Sequence, residues 1–449
     1  MTEEAQGAAE KEDEQPPEPV FKQDGGRAWI VLLAGFIAYG LAFGLPMSSG
    51  VFFVHVQRIF TDASKQQISQ LVGLSYVVSF LSGLLASFIY GLLGARQAVM
   101  LGGAISCLSC CCVLFVKNLW SAYLVHAFIG IGSGIVVTPL FTVQTEHFTK
   151  HRRLALAAQT TGVSVGIFLL SPLFEYLVDE FGWHNAMFII GAIMLNIVPC
   201  GLQQADNATH RVSLHDLLDL SLLIRPLFLF VMAVLFLVFG SVIIYLTMMS
   251  ALAVSRGYST QAGAALMSVT GFSSLVGRIC ASFVAKVEII NGNVVMGTSM
   301  FVCSVVLFLL TVCVQMWHFT IACAIFGCFQ GAAYSYFSPT LFELFGDAHK
   351  FHRIIGMSLF MIGLTTLLAP QVGGRLADAY SLDAAFLTAA GGTGLASFAH
   401  FTLAVWYCRK TRAVNKKFAL VKNHEDTFQT AIELMRISKT EENLIEIEK

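Results

Sequence analysis

One charged side chain stands well inside an apolar run: Arg278, in Gly271-Phe272-Ser273-Ser274-Leu275-Val276-Gly277-Arg278-Ile279-Cys280. A guanidinium in hydrocarbon costs about 2.5–3.5 kcal/mol on insertion scales unless it faces water or a partner. Its planar fork of donors fits the two oxygens of a carboxylate. The alternative is a snorkelling arginine, because its apolar run ends only about two turns further on.

Other residues carry chemistry more weakly. Pro46, with Ser48, Ser49 and Gly50 behind it, interrupts a long apolar run. Proline removes a backbone hydrogen bond that small polar neighbours can re-satisfy. Such a broken helix either frames a binding site or is a plain kink. Tyr245 and Thr247, and Tyr334, Ser335, Tyr336 and Ser338, offer hydroxyls to a site, or only polar packing between helices. His126 and His400 could titrate within apolar runs, or simply pack there. Cys107 and Cys110 form a CxxC spacing without a second ligand pair, which reads as small apolar packing. There is no GxGxxG, P-loop or HExxH pattern, so no enzyme, cofactor or metal site is expected.

These residues have to be positioned by membrane helices. The 449 residues are 56% hydrophobic and 12% charged, with mean hydropathy +0.72. A soluble domain is nearer a quarter charged. Many apolar runs of about 20 residues fit a helical bundle solvated by lipid. The pattern places spans at 28–54, 68–93, 98–116, 119–142, 154–178, 183–202, 226–254, 259–285, 293–314, 317–342, 354–379 and 383–407. Trp29, Trp120, Trp183, Trp317 and Trp406 fall at span ends, where interface aromatics belong. The expected class is all-α, with the lipid bilayer as solvent. A net charge of −1 argues against nucleic acid as a partner.

Of the 27 Lys and Arg, only Arg278 and Arg375 lie within spans. With both termini inside, just four face outward: Arg58, Lys65, Lys117 and Arg256. The inner segments hold all the rest, including Arg96, Lys150, Arg152, Arg153, Lys350 and Arg353, which is the positive-inside pattern. That orientation leaves the Asn207-Ala208-Thr209 sequon on the inside, where no glycan is added. Residues 1–27, acidic and Pro-rich at the start, read as a disordered cytoplasmic tail with no secretory signal. Residues 408–449 read as a second tail, basic first and acidic later. Gly94 and Arg96, with the Lys150, Arg152 and Arg153 cluster, read either as parts of an inner gate or as topological charge alone. Arg375 and Asp378, three residues apart, are expected to pair locally on one helix.

The chain also repeats itself. Thr138-Pro139-Leu140-Phe141 leads to Glu146 and then to Lys150-His151-Arg152-Arg153. Ser338-Pro339-Thr340-Leu341-Phe342 leads to Glu343 and then to Lys350-Phe351-His352-Arg353, 200 residues later. Two six-helix halves, 28–202 and 226–407, joined by a loop at 203–225, account for that spacing. This is the build of the major facilitator fold, which holds substrate between its halves near the midplane.

Three further stretches resemble the monocarboxylate transporter family (solute carrier family 16). Asp24-Gly25-Gly26-Arg27-Ala28-Trp29, then Pro46 and Val51-Phe52-Phe53, resemble its first-span signature. Phe148-Thr149-Lys150-His151-Arg152-Arg153-Leu154-Ala155, running on to Phe181-Gly182-Trp183, resembles its second. Ala369-Pro370 and Gly374-Arg375-Leu376-Ala377-Asp378 resemble a late one. The resemblance implies a plasma-membrane carrier for a small carboxylate-bearing or zwitterionic solute. Arg278 stands where the family grips the substrate carboxylate, and Asp24, Pro46 and Asp378 would be conformational positions. A single-span ancillary glycoprotein is a possible partner on the same ground. Two departures matter: Met47 and Ser274 stand where proton-coupled members carry a lysine and an aspartate. The binding set expected is therefore Arg278, Ser274, Met47, Ser48, Ser49 and Tyr245, without proton coupling. The rival reading is a transport-inactive member serving as a sensor or scaffold through its tails.

Overall fold

The computed structural model describes residues 23–204, 225–286, 291–345 and 351–409. Both tails beyond these limits, most of the 203–225 loop with Asn207, and Lys350 lie outside the described residues. No strand occurs among the described residues. Helices Gly83–Cys112 and Arg152–Met194 each pass through one residue in the left-handed region, Gly94 (φ 80°) and Gly182 (φ 73°). A side chain would strain that backbone, and the reversal there separates two spans.

Divided at those glycines, the chain makes twelve spans. Span 1 is Gly26–Ser48; 65–93 and 95–112 are spans 2 and 3; Leu119–His147 is span 4; 152–181 and 183–202 are spans 5 and 6. Pro226–Ser255, Thr260–Val284, Gly292–Val312, Met316–Phe345 and Phe351–Ala379 are spans 7 to 11, and 382–409 is span 12. The expected spans are all present, with shifted ends. Among the described residues, nine helical stretches are long and apolar enough to cross a membrane, and two of them, Gly83–Phe115 and Arg152–Leu202, run across a reversal.

Local chemistry sets several ends. Ser64 and Asn118 form capping boxes with Gln67 and Ser121, Ser259 caps span 8, and Pro226 opens span 7 where its missing N–H is harmless. Span 1 breaks as expected: a 3-10 turn, Ser49–Phe52, follows Pro46, and then a short helix, Phe53–Ile59. Ser49 Oγ lies 2.7 Å from the Pro46 carbonyl and 2.6 Å from that of Val72. The hydroxyl thus ties the break to span 2.

Two expectations fail. Trp183 is no interface residue: it is 2% exposed, because Phe60 after span 1 and His126 of span 4 pack against its ring just past the turn at Gly182. Arg375 and Asp378 form no ion pair; both are exposed, and water outcompetes so weak a pair. Ion pairs at that end among the described residues are Arg256 Nη2 to Asp383 Oδ1, 2.7 Å, which joins the loop after span 7 to the start of span 12, and His55 Nε2 to Asp179 Oδ1, 3.3 Å.

Spans 1–6 meet spans 7–12 chiefly through span 2 on span 11 and span 5 on spans 8 and 10. Pairs 2–11 and 5–8 are equivalent under the repeat. A Cβ on Gly83 would sit 2.6 Å from the Gly356 carbonyl, so backbone meets backbone where spans 2 and 11 cross. Polar and ring contacts between the halves cluster toward the end bearing Lys150, Arg152 and Arg153, called the basic end below. Thr160 bonds Ser335 (3.3 Å), Thr161 meets Ser282 (3.4 Å), and Tyr90 lies on His352 (4.9 Å between rings). The basic end is closed.

Candidate functional site

Arg278 is held where span 8 packs against span 5 of the other half. It is 7% exposed, and Nη1 donates to the Thr160 carbonyl of span 5 at a long 3.3 Å. Its guanidinium carbon lies 5.2 Å from the centre of the Tyr334 ring of span 10. Nε has no partner, and none of the ion pairs found among the described residues includes Arg278. Thr160 lies eight residues into span 5, about 12 Å from the basic end, so the fork is turned into the interface between the halves and does not snorkel. Tyr39 of span 1 and Tyr76 of span 2, in the opposite half, lie within electrostatic reach of its charge.

Ser274, one turn before Arg278, donates to Gln330 Oε1 of span 10 (3.0 Å). It offers no charge to its neighbour. The remaining expected binding residues are placed elsewhere. Met47, Ser48 and Ser49 follow Tyr39 by eight to ten residues, about 12–15 Å along the chain. Met47 packs on the apolar core, and Ser48 accepts from Ser171 Oγ at 2.8 Å. Tyr245 is fully buried, 2.7 Å from Thr270 Oγ1 and with its ring tilted against that of Phe326, so its hydroxyl is spent within its own half. His400 contacts Asn293 (3.3 Å) near the basic end, and His126 lies parallel to Trp183, 6.4 Å away. Neither is beside Arg278.

Sequence reading missed Thr160, Gln330, Tyr39 and Tyr76. Their partners lie on other spans, and no local spacing signals such a meeting.

At the basic end, Arg153 Nε meets Glu343 Oε1 at 2.8 Å, joining span 5 to span 10 across the halves. Glu343 is 7% exposed at its side chain and also accepts from Gly292 N–H (3.3 Å). Arg152 lies over the Phe342 ring at 4.2 Å, while its Nε donates to the carbonyls of Phe148 (2.7 Å) and Thr145 (3.1 Å). The Lys150 side chain and Arg96 are exposed, and Gly94 serves the turn between spans 2 and 3.

Asp24 organises this end. Its carboxylate accepts from Thr149 Oγ1 (2.8 Å), Lys150 N–H (3.0 Å), His151 N–H (3.1 Å) and Thr149 N–H (3.3 Å). Burial alone would raise its pKa. The bonds from Lys150, Thr149 and His151 outweigh that and hold it at about 2. The carboxylate thus caps span 5 just ahead of Arg152 and Arg153, at the positive end of the helix dipole. Asp24→Ala is expected to cost on the order of 1 kcal/mol, the size of a lost cap. Thermal unfolding in detergent checks this, and an unchanged midpoint contradicts it.

The family model described as Major Facilitator Superfamily matches residues 28–351. Among curated relatives, monocarboxylate transporter 2 of Meriones unguiculatus is 28% identical over 395 residues, covering 81% of this chain and 80% of that protein. Monocarboxylate transporter 6 of Homo sapiens is 35% identical over 186 residues, 41% of this chain and 37% of the relative. Among solved structures, the proton:xylose symporter XylE superposes with TM-score 0.68 at 11% identity, covering 84% of this chain and 95% of its own. The human organic anion transporter MFSD10 superposes with TM-score 0.67 at 16% identity, covering 86% of this chain and 100% of its own. At those identities the likeness is one of fold.

Proposed function

The chain belongs to the major facilitator superfamily, and from that premise we propose that it carries a small carboxylate-bearing solute by alternating access, with Arg278 as the carboxylate's anchor. The observation that carries this is a buried guanidinium with a single long hydrogen bond and no counter-anion among the described residues. An uncompensated buried charge costs several kcal/mol. A bound carboxylate would complete the site, and the four-fifths-length similarity to monocarboxylate transporters supports such a cargo. A transport-inactive scaffold has no use for that cost, since an apolar residue would pack there more favourably.

In this reading the basic end is cytoplasmic by the positive-inside rule, both termini are inside, and the contacts between the halves close the inner gate. The plasma membrane and a single-span ancillary glycoprotein follow from the resemblance. The Arg153–Glu343 pair is the inner latch, with Asp24 fixing the loop that presents Arg153.

Transport is not driven by protons, because Ser274 and Met47 leave Arg278 without a carboxylate or amine beside it on spans 1 and 8. A one-to-one proton symporter would gain about tenfold in accumulation per pH unit of gradient. Proteoliposome flux, at clamped potential and corrected for leak through protein-free vesicles, is expected to change less than about twofold under such a gradient. Flux that follows the gradient tenfold overturns the uncoupled reading. Ser274→Asp, which restores a carboxylate one turn from Arg278, is expected to introduce a pH dependence.

A further inference from the structure

We infer that the cargo is an aromatic monocarboxylate anion, in preference to an amino acid-like zwitterion or a short aliphatic acid. This rests on Arg278 being the carboxylate anchor and adds what the rest of the site recognises.

Charge gives the first half of the argument. The described Asp and Glu residues stand at positions 24, 62, 146, 175, 179, 180, 343, 378 and 383, all within about two turns of a span end or outside the spans. None of them forms an ion pair with Arg278. The one well inside the protein at the basic end, Glu343, is taken by Arg153. A substrate ammonium at this site would meet the repulsion of Arg278 and no counter-charge. A free amine therefore weakens binding, whereas a single carboxylate satisfies the site fully.

The opposite wall gives the second half. Tyr39 and Tyr76, residues of the other half within electrostatic reach of Arg278, belong to a connected set of rings. Tyr39 lies 5.3 Å from Phe43, Phe43 is 5.0 Å from Phe80 with its ring edge-on, and Tyr76 is 5.0 Å from Phe80, also edge-on. On Arg278's own side, Tyr334 is stacked on Phe239 at 4.9 Å, which fixes its ring beside the guanidinium. The site is thus a single cation beside one fixed ring, with further rings of the other half within its electrostatic reach. A two-carbon or three-carbon acid reaches the cation and leaves the walls unused. A carboxylate with an aryl tail fills both, with the rings free to meet edge-to-face.

Three ligands separate the contributions: 3-phenylpropionate, propionate (no ring) and phenylalanine (same skeleton with an ammonium). Binding is read as the ligand concentration that half-saturates the shift in thermal unfolding of the purified full chain. The expected result is 3-phenylpropionate at least about tenfold tighter than either of the others, as burial of one phenyl ring implies. Tyr76→Ala is expected to shrink the ratio of 3-phenylpropionate to propionate. Propionate or phenylalanine binding as tightly as 3-phenylpropionate overturns the inference, and so does 3-phenylpropionate leaving the midpoint unmoved. Arg278→Ala tells this failure apart from failure of the anchor itself. If that variant weakens whichever ligands bind, the anchor stands and only the aromatic preference falls. If it weakens none, the anchor falls too.

Discussion

Arg278→Ala is expected to give a folded protein whose carboxylate flux is lower by at least about a hundredfold. A forked guanidinium makes two charge-assisted hydrogen bonds to a carboxylate, each contributing about 1.5–3 kcal/mol. Losing both removes about 3 kcal/mol or more, which is over two decades in affinity. The expected effect on stability has the opposite sign. In the unliganded protein the buried charge has one 3.3 Å bond and no counter-anion, so its removal leaves the unfolding midpoint unchanged or raises it. Arg278→Lys keeps the charge but not the fork and is expected to recover little. Counterflow and thermal unfolding of the same preparations check the pair of results. Undiminished flux removes the anchor. Lost flux together with a collapsed fold makes the arginine structural.

Glu343→Gln is expected to open the basic end. The substitution keeps an acceptor for Gly292 N–H and removes only the charge that holds Arg153. Breaking a buried pair from one side costs about 3–5 kcal/mol. Arg153 is 27% exposed and regains some water, so about 2 kcal/mol is the better figure. That shifts the balance between the two closed ends about thirtyfold. A cysteine placed at Ala157, which is buried between the halves, reports the change as faster thiol labelling from the basic end. The exchange Arg153→Glu with Glu343→Arg is expected to restore slow labelling. Fast labelling in the exchanged pair, or unchanged labelling in Glu343→Gln, rules the latch out. Asp24→Ala acts upstream of the same latch and is expected to weaken it less, because it loosens the loop and leaves the ion pair itself intact.

The architecture was legible because lipid permits few alternatives. Apolar runs of bilayer length must be helices, and a repeat of Pro and basic residues 200 positions apart points to two like halves. Arg278 was legible for the same reason, as the charge that should not have been there. What the sequence withheld was which faces meet. Glu343 was visible as a repeated acid, but its pairing with Arg153 joins residues 190 positions apart and has no local signature. Tyr39 and Tyr76 look like any aromatic residue on a membrane helix until the halves close over Arg278. Ser48, Ser49 and Tyr245 were candidates because hydroxyls in lipid demand partners. The structure supplies those partners inside the fold, at Ser171, Pro46, Val72 and Thr270. Arg375 and Asp378 show the limit of spacing rules: three residues apart on a helix, they are neighbours, yet exposed side chains have little reason to stay together.

If a carboxylate completes the charge of Arg278, an acid compared with its isosteric amide isolates that one interaction. 3-Phenylpropionate and 3-phenylpropionamide share size, ring and shape and differ in a single negative charge. In the wild-type protein the acid is expected to bind at least about a hundredfold more tightly than the amide, and in Arg278→Ala that preference is expected to vanish. Equal binding of acid and amide to the wild type, or a preference that survives in Arg278→Ala, would contradict the central claim.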